Sequence, residues 1–254
     1  MKLTQPIEIF LPDTRDVEIS RYGFGNLKLG MGVFTYSRIA GNPYLYNYKT
    51  AAIFPNANNG VPVPTNPGGT CPGSTPECES ICYAKRIGGP VREVYERNAG
   101  DDVPPIPDAC QILRLHVSGD FDTSAYISNW VDRLIERSDV TCWAYTRSWR
   151  IPHLVAALED LRALPNVQLF ASMDRSHRDE PPNGWRRAWL DGDPRAGFSI
   201  DVTTQDDIGT RRLSRTLTGV SSYVCPEETG HKKDCLACGY CFEGQTNDVT
   251  FLKH

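Results

Sequence analysis

The chain of 254 residues reads as an α/β protein: a partial parallel (β/α) barrel followed by a cysteine-rich C-terminal segment. From residue 110 onward, short apolar runs alternate with stretches of helical period, which is the pattern of repeated strand-helix units. Each apolar run ends on small or acidic polar residues, as strands of parallel sheets do where ligands bind. Seven of the nine cysteines fall into two groups on either side of this repeat.

In order along the chain, residues 1–50 mix polar and aromatic segments. Val33, Thr35 and Ser37 alternate there with Phe34, Tyr36 and Arg38 in the two-residue period of a strand. The glycines of YGFGNLKLGMG lack the preceding apolar strand and the spacing of a dinucleotide loop, so they are read as turn glycines. Residues 54–74 and 100–109 are dense in Pro, Gly or Asn and form connections. Then come a strand at 110–118, a helix at 124–137, a strand at 141–146, a helix at 152–163 and a strand at 167–172. A Trp-containing helix and a strand at 197–203 complete the repeat. In the first helix Tyr126, Ile127, Trp130, Val131, Leu134 and Ile135 recur at steps of three and four, and in the second Leu154, Leu158 and Leu161 do the same, so one face of each packs on the sheet. Right-handed crossovers make that sheet parallel, and four units favour a partial rather than a closed barrel. The expected organisation is a single domain, 1–254, with a cysteine loop at 54–90, a repeat core at 110–204 and a cysteine-rich metal segment at 222–245. Cys110 and Cys142 sit in apolar runs and belong to the core.

Strand ends mark the candidate ligand site. Ser118, Gly119 and Asp120, then Thr146 and Arg147, then Ser172, Asp174 and Arg175, then Asp201, Thr203 and Thr204 would share one rim. Of these, Ser118, Gly119, Asp120, Thr146, Ser172 and Asp174 are the expected cofactor-binding residues, with turn geometry as the competing role for Gly119 and Asp120. Asp122 to Ser124 read as helix caps, and His116 points either inward or into core packing.

The cysteines carry the chemistry. Cys235, Cys238 and Cys241 follow one another at intervals of two residues, with Cys225 upstream, and four thiolates suit tetrahedral zinc or a cubane. The uninterrupted run is the spacing of bacterial ferredoxins, which favours an iron-sulfur cluster, [4Fe-4S], with zinc as the alternative. Cys71, Cys78 and Cys82 supply three thiolates from a Pro- and Gly-rich loop and leave a fourth position open, for a small molecule on iron or for water on zinc. One or two clusters are expected, and both groups converging on a single cluster is compatible with the spacing.

A hydrophobic content of 40%, a formal net charge of -4 and a pI of about 5.8 describe a soluble protein and argue against a broad nucleic-acid face. Arg147, Arg150, Arg175, Arg178, Arg186 and Arg187 cluster in sequence and are read as a solvated helix face or salt bridges. No signal-peptide pattern or membrane span is legible, so the expected location is the cytoplasm, where thiols stay reduced and available to metals.

The motifs TCPGSTPECESICYA, RLHVSGDF, WAYTRSW, LFASMD and CPEETGHKKDCLACGYCF together resemble the phage "gene product 88" family over most of the chain. That resemblance implies a phage origin, hence the host cytoplasm, and iron-sulfur binding rather than any one reaction. More distantly, the layout is similar to the radical S-adenosylmethionine superfamily, in which a three-cysteine loop holds a [4Fe-4S] cluster over a partial parallel barrel. Cys78, Cys82 and Tyr83 match that superfamily's spacing, Lys85 stands where its third cysteine belongs, and Cys71 would substitute from upstream. Ser118 to Asp120 would be the counterpart of its cofactor-holding Gly-rich segment, and the C-terminal quartet would resemble an auxiliary cluster. The likeness implies S-adenosylmethionine as a cofactor, an electron donor as a partner and radical chemistry on a small molecule. The alternative is a non-enzymatic protein whose zinc or cluster staples long loops, and which binds a host, phage or nucleic-acid partner.

Overall fold

Apolar runs flanked by helices on one side and a second apolar layer on the other are buried on both faces, the environment that parallel strands require. In the computed structural model, residues 21–24, 28–39, 70–82, 84, 87, 89–196, 198–205, 211–217, 222–244 and 247–252 are described, by backbone alone at 89, 198–205, 211–217 and 222. Eight strands form one sheet: β1 (Gly23–Phe24), β2 (Val33–Tyr36), β3 (Ile112–Leu115), β4 (Thr141–Thr146), β5 (Val167–Met173), β6 (Arg186–Leu190), then β9 (Ser222–Val224) and β10 (Asp248–Phe251). The spatial order is β1-β2-β3-β4-β5-β6-β10-β9, and every pairing is parallel except that of β1 with β2. Strands β7 (Phe198–Gln205) and β8 (Arg211–Leu217) form a separate antiparallel pair.

Among the described residues, five α-helices accompany the strands: α1 (Pro76–Ile81), α2 (Gly89–Arg97), α3 (Ser124–Glu136), α4 (Val155–Arg162) and the single turn α5 (Cys235–Cys238). Helix α3 starts at Thr123, whose Oγ1 accepts from the Tyr126 amide at 3.0 Å. Its face of Tyr126, Ile127, Trp130 and Leu134 is wholly buried and packs, with Leu158 and Leu161 of α4, on Leu113, Leu115, Cys142, Ala144, Leu169 and Ala171 of the sheet. Cys110 and Cys142 belong to this core, where burial pushes both thiols up, Cys110 to about 12. The opposite sheet face, with Trp143, Tyr145, Phe170, Ala188 and Val249, is covered by Leu29 and by the C-terminal residues Cys225, Cys235, Tyr240, Cys241 and Phe242.

An α/β fold on a mostly parallel sheet is therefore observed, with the strands at β3, β4 and β5 and the helices at α3 and α4 where periodicity places them. Two expectations are corrected. The Trp-containing helix is absent: Trp189 lies in strand β6, RRAWL, and Trp185 just before it. Alternation explains this, because Trp189 faces the helix-side core while Arg186 and Ala188 face the other side. The run at 197–203 is a strand, but β7 pairs with β8 in its own two-stranded sheet and does not extend the parallel one, so Asp201, Thr203 and Thr204 lie outside the rim. Among the described residues, no helix is long and apolar enough to cross a membrane.

Trp130 contacts Tyr36 edge-on at 5.1 Å between centroids and is fully buried. Trp130→Ala should destabilise the fold by about 3–5 kcal/mol, read from the denaturant midpoint at unchanged slope.

Candidate metal and ligand site at the strand ends

The carboxyl ends of β3, β4 and β5 are where the sheet leaves polar groups to be satisfied by something other than the ladder. After β3 the chain turns sharply. His116 has a φ of 57°, rare for a residue with a side chain, and is held there by packing: its Nε2 lies 2.8 Å from the Tyr126 hydroxyl and its ring meets Phe121 edge-on at 4.4 Å. Burial and the nearby Arg38 guanidinium hold this imidazole well below its ordinary range, so it is neutral and belongs to the core. Gly119 follows with a φ of 87°, and a side chain there would overlap the Arg38 carbonyl. The bend delivers Asp120 to the middle of the rim.

Asp120 is buried and accepts from Thr146 Oγ1 at 2.5 Å, from the Arg147 amide at 2.7 Å and from the Phe121 amide at 2.8 Å. Burial pushes its carboxyl up to about 6, against the pull of those donors. Asp174, after β5, is buried as well. It accepts from Arg147 Nη1 at 2.5 Å, from Thr75 Oγ1 at 2.6 Å and from the Ser176 amide at 2.8 Å. Burial opposes its ionisation, but Arg147, Thr75 and Ser176 together hold it below the usual carboxylate range.

The cysteine loop is laid across these two carboxylates. Thr75 caps α1 by accepting from the Cys78 amide at 3.1 Å while its hydroxyl donates to Asp174, and Pro76 opens the helix. Gly73 presses on the Arg147–Ser148 peptide so closely that a side chain would overlap it, and its carbonyl accepts from Arg150 at 3.3 Å. The Glu77 amide donates to Ser176 at 3.2 Å, and the Glu77 carboxylate pairs with Arg175 at 3.1 Å. This stitching brings Cys71, Cys78 and Cys82 to one place. Burial pushes the Cys71 thiol well up, and the charges of Asp120, Cys78 and Cys82 add to it. Burial also raises Cys78, while the Arg147 guanidinium, hydrogen-bonded to it, pulls the other way. Burial and the neighbouring thiols oppose ionisation of Cys71 and Cys78, a penalty that a bound cationic core would offset, so the donor set fits a metal centre.

The six expected ligand residues divide. Asp120, Thr146 and Asp174 meet the cysteine trio, but as scaffold, since each carboxylate is already engaged by protein donors. Gly119 is required by its turn. Ser118 acts through its backbone, donating to Ser37 Oγ at 3.1 Å and accepting from the Arg38 amide at 3.0 Å, and Ser172 accepts from Trp149 Nε1 through its carbonyl at 3.3 Å. Sequence reasoning passed over Gly73 and Thr75. The Thr-Pro pair before an acidic turn signals the helix start that Thr75 makes, while the contact of Gly73 has no local signal. Tyr83 and Lys85 lie outside the described residues.

The C-terminal quartet lies elsewhere, on the sheet face opposite α3 and α4, where Cys225 and Cys241 pack with Phe170 and Val249, and Cys235 and Cys241 pack with Trp143. The cysteines that raise Cys71 and Cys78 belong to the trio, and those that raise Cys235 and Cys241 belong to the quartet.

The family described as Gene product 88 matches residues 106–244. A Gene 88 protein of Mycobacterium phage D29 is 25% identical over 219 residues, which is 74% of this chain and 84% of that protein. One of Mycobacterium phage L5 is 26% identical over 220 residues, again 74% and 84%. No solved structure matches.

Two outcomes follow from the geometry. Gly73→Ala should lift the loop from Arg147 and strip metal from the trio while the circular dichroism of the fold is retained, as metal analysis of the purified variant would read. Asp120 binds its proton more tightly folded than unfolded, so its contribution to stability is full below about pH 4 and is lost as pH rises toward 6. Denaturant midpoints of Asp120→Asn across that window should lack this fall, whatever the variant's absolute stability.

Proposed function

Since the chain belongs to the gene product 88 family, whose name states no reaction, its activity has to be argued from its chemistry, and we propose that it is an iron-sulfur protein with an open-coordination cluster at the strand ends. One observation carries this reading: cysteines separated by up to eleven positions, Cys71, Cys78 and Cys82, are drawn together on the rim by contacts of Gly73 and Thr75 that serve no other evident end. Cys71, Cys78 and Cys82 would hold the cluster, which with one iron free of protein thiolate would supply a binding position and an electron for a small ligand. Arg147 supplies the positive charge beside Cys78, and Asp174 fixes Arg147 in place.

The order of a cysteine loop followed by parallel strands, with Ser118 to Asp120 after the first strand beyond the loop, makes S-adenosylmethionine the ligand to test first.

A second reading has its own observation. Asp174 holds the loop through Thr75, and Asp120 fixes the Arg147 amide beside the peptide on which Gly73 packs, which suits a metal that staples residues 70–82 to the sheet in a non-enzymatic binding protein. The experiment that separates them is anaerobic purification with iron, sulfide and zinc quantified per chain, followed by electron paramagnetic resonance of the reduced protein with and without S-adenosylmethionine. Matched iron and sulfide, diminished by Cys78→Ser with Cys82→Ser, and a spectrum altered by the added ligand are expected. Iron and sulfide with a spectrum that no small ligand alters would leave the staple; zinc without sulfide at the trio would overturn the cluster.

A further inference from the structure

Two arginines lie where the sheet is otherwise apolar. Arg186, on β6, is buried with its guanidinium 4.1 Å from the Phe170 ring, and it donates only to neutral acceptors: the Asn247 carbonyl at 3.0 Å, Gln168 Oε1 at 3.2 Å and the Tyr240 carbonyl at 3.4 Å. Arg114, on β3, stands 5.4 Å from the Tyr145 ring with its Nε sealed from solvent and without a hydrogen-bond partner. Neither forms a salt bridge with a carboxylate among the described residues, although the rest of the molecule pairs its arginines freely. Arg186 is buried and Arg114 half-buried with its Nε sealed, and a desolvated guanidinium without a counter-charge is costly, so an anion belongs beside them.

The groups that do face them are thiols. Arg114 is the first charged neighbour of Cys235, and Arg186 is a neighbour of Cys241; each opposes the burial that pushes these thiols up, to about 12 and about 11. The backbone is arranged to gather the four cysteines. The amide of Cys225 bonds to the Thr250 carbonyl at 2.9 Å, and those of Cys235 and Leu236 bond to the carbonyls of Lys28 and Leu29 at 2.8 and 3.0 Å. Asp234 caps α5 by accepting from the Ala237 amide at 2.7 Å, and Gly239, at a φ of 71°, reverses the chain so that Cys241 returns toward Cys235. Cys241 is the shared point, packed with Cys225 on one side and Cys235 on the other and charge-coupled to Cys238.

We propose that Cys225, Cys235, Cys238 and Cys241 form a second metal centre, closed by four thiolates and carrying two negative charges, with Arg114 and Arg186 as its counterions. The charge count is the same for a zinc ion and for an oxidised [4Fe-4S] core, each of which places two positive charges among four thiolates. Cys225 has a rival set in Glu227 and Glu228, but those carboxylates clasp the Lys28 ammonium at 3.5 and 2.5 Å, and Glu228 also accepts from the Leu252 amide at 2.6 Å. The ammonium already fills the place of a cation there.

The test uses the full chain, purified anaerobically. In Cys78→Ser with Cys82→Ser, one centre should remain, and X-ray absorption at the zinc or iron edge should give sulfur as the metal's ligand shell; nitrogen or oxygen ligands would overturn the proposal. Cys238→Ser with Cys241→Ser should lose that centre and keep whatever the trio holds, so the two sites fail separately. Metal content unchanged in this variant would also overturn it. Arg114→Met and Arg186→Met should each speed metal release to a chelator roughly tenfold, the order expected for deleting one close buried counter-charge, and the Lys variants should restore part of the hold. Release at the wild-type rate in both Met variants would refute the counterion role. Zinc alone or matched iron and sulfide would each satisfy the proposal and say which core is bound.

Discussion

The carboxylate of Asp174 is the contact on which the strand-end site depends. It binds a loop residue, Thr75, a residue from the end of the neighbouring strand, Arg147, and its own turn at Ser176, all inside the protein. A buried carboxylate with fewer donors would take up a proton rather than stay charged, but three donors keep this one ionised and therefore keep Arg147 beside Cys78. Asp120 repeats the device two strands over with weaker partners, all of them uncharged, and its carboxyl rises where that of Asp174 falls. The same residue type at strand ends of one sheet thus has opposite proton affinity: burial dominates at Asp120, while at Asp174 the Arg147 guanidinium, with Thr75 and Ser176, outweighs it.

Much of this was legible in the sequence. Helical period over 124–136 and apolar runs at β3 to β5 announced themselves because burial on one face or on both leaves a mark in composition. Cys110 and Cys142 read correctly as core for the same reason. The segment RRAWL did not, since its arginines looked like a solvated helix face; one of them is buried over Phe170 by its long apolar stem, and only alternation hinted at a strand. Asp120 and Asp174 follow β3 and β5, and protein donors engage both carboxylates. Whether a polar group is available depends on partners remote in sequence, ninety-nine positions away for Thr75 and Asp174, and no local pattern reports them.

Strand β4 is common to both cysteine groups. Tyr145 hydrogen-bonds Cys241 on the face opposite the helices, and Arg147, two residues on, hydrogen-bonds Cys78 at the rim. The fold therefore ties to one strand and the turn that follows it two groups that are more than a hundred residues apart in sequence.

Strand β10 lies between β6 and β9, although it follows both along the chain. Strand β9 thus has no sheet to join until the residues after it have been made and inserted, and Cys225, whose amide bonds to Thr250 of β10, is not anchored before then. The helix-covered half of the sheet is built from near neighbours in sequence and can form while synthesis continues; the half that bears the quartet is completed out of chain order, by long-range pairing. Assembly is thereby staged. A nascent or truncated chain lacking β10 would leave Phe170 and Ala188 without Val249 and the edge of β6 unpaired, so arrival of the last strand acts as the checkpoint at which an adhesive intermediate becomes a finished protein.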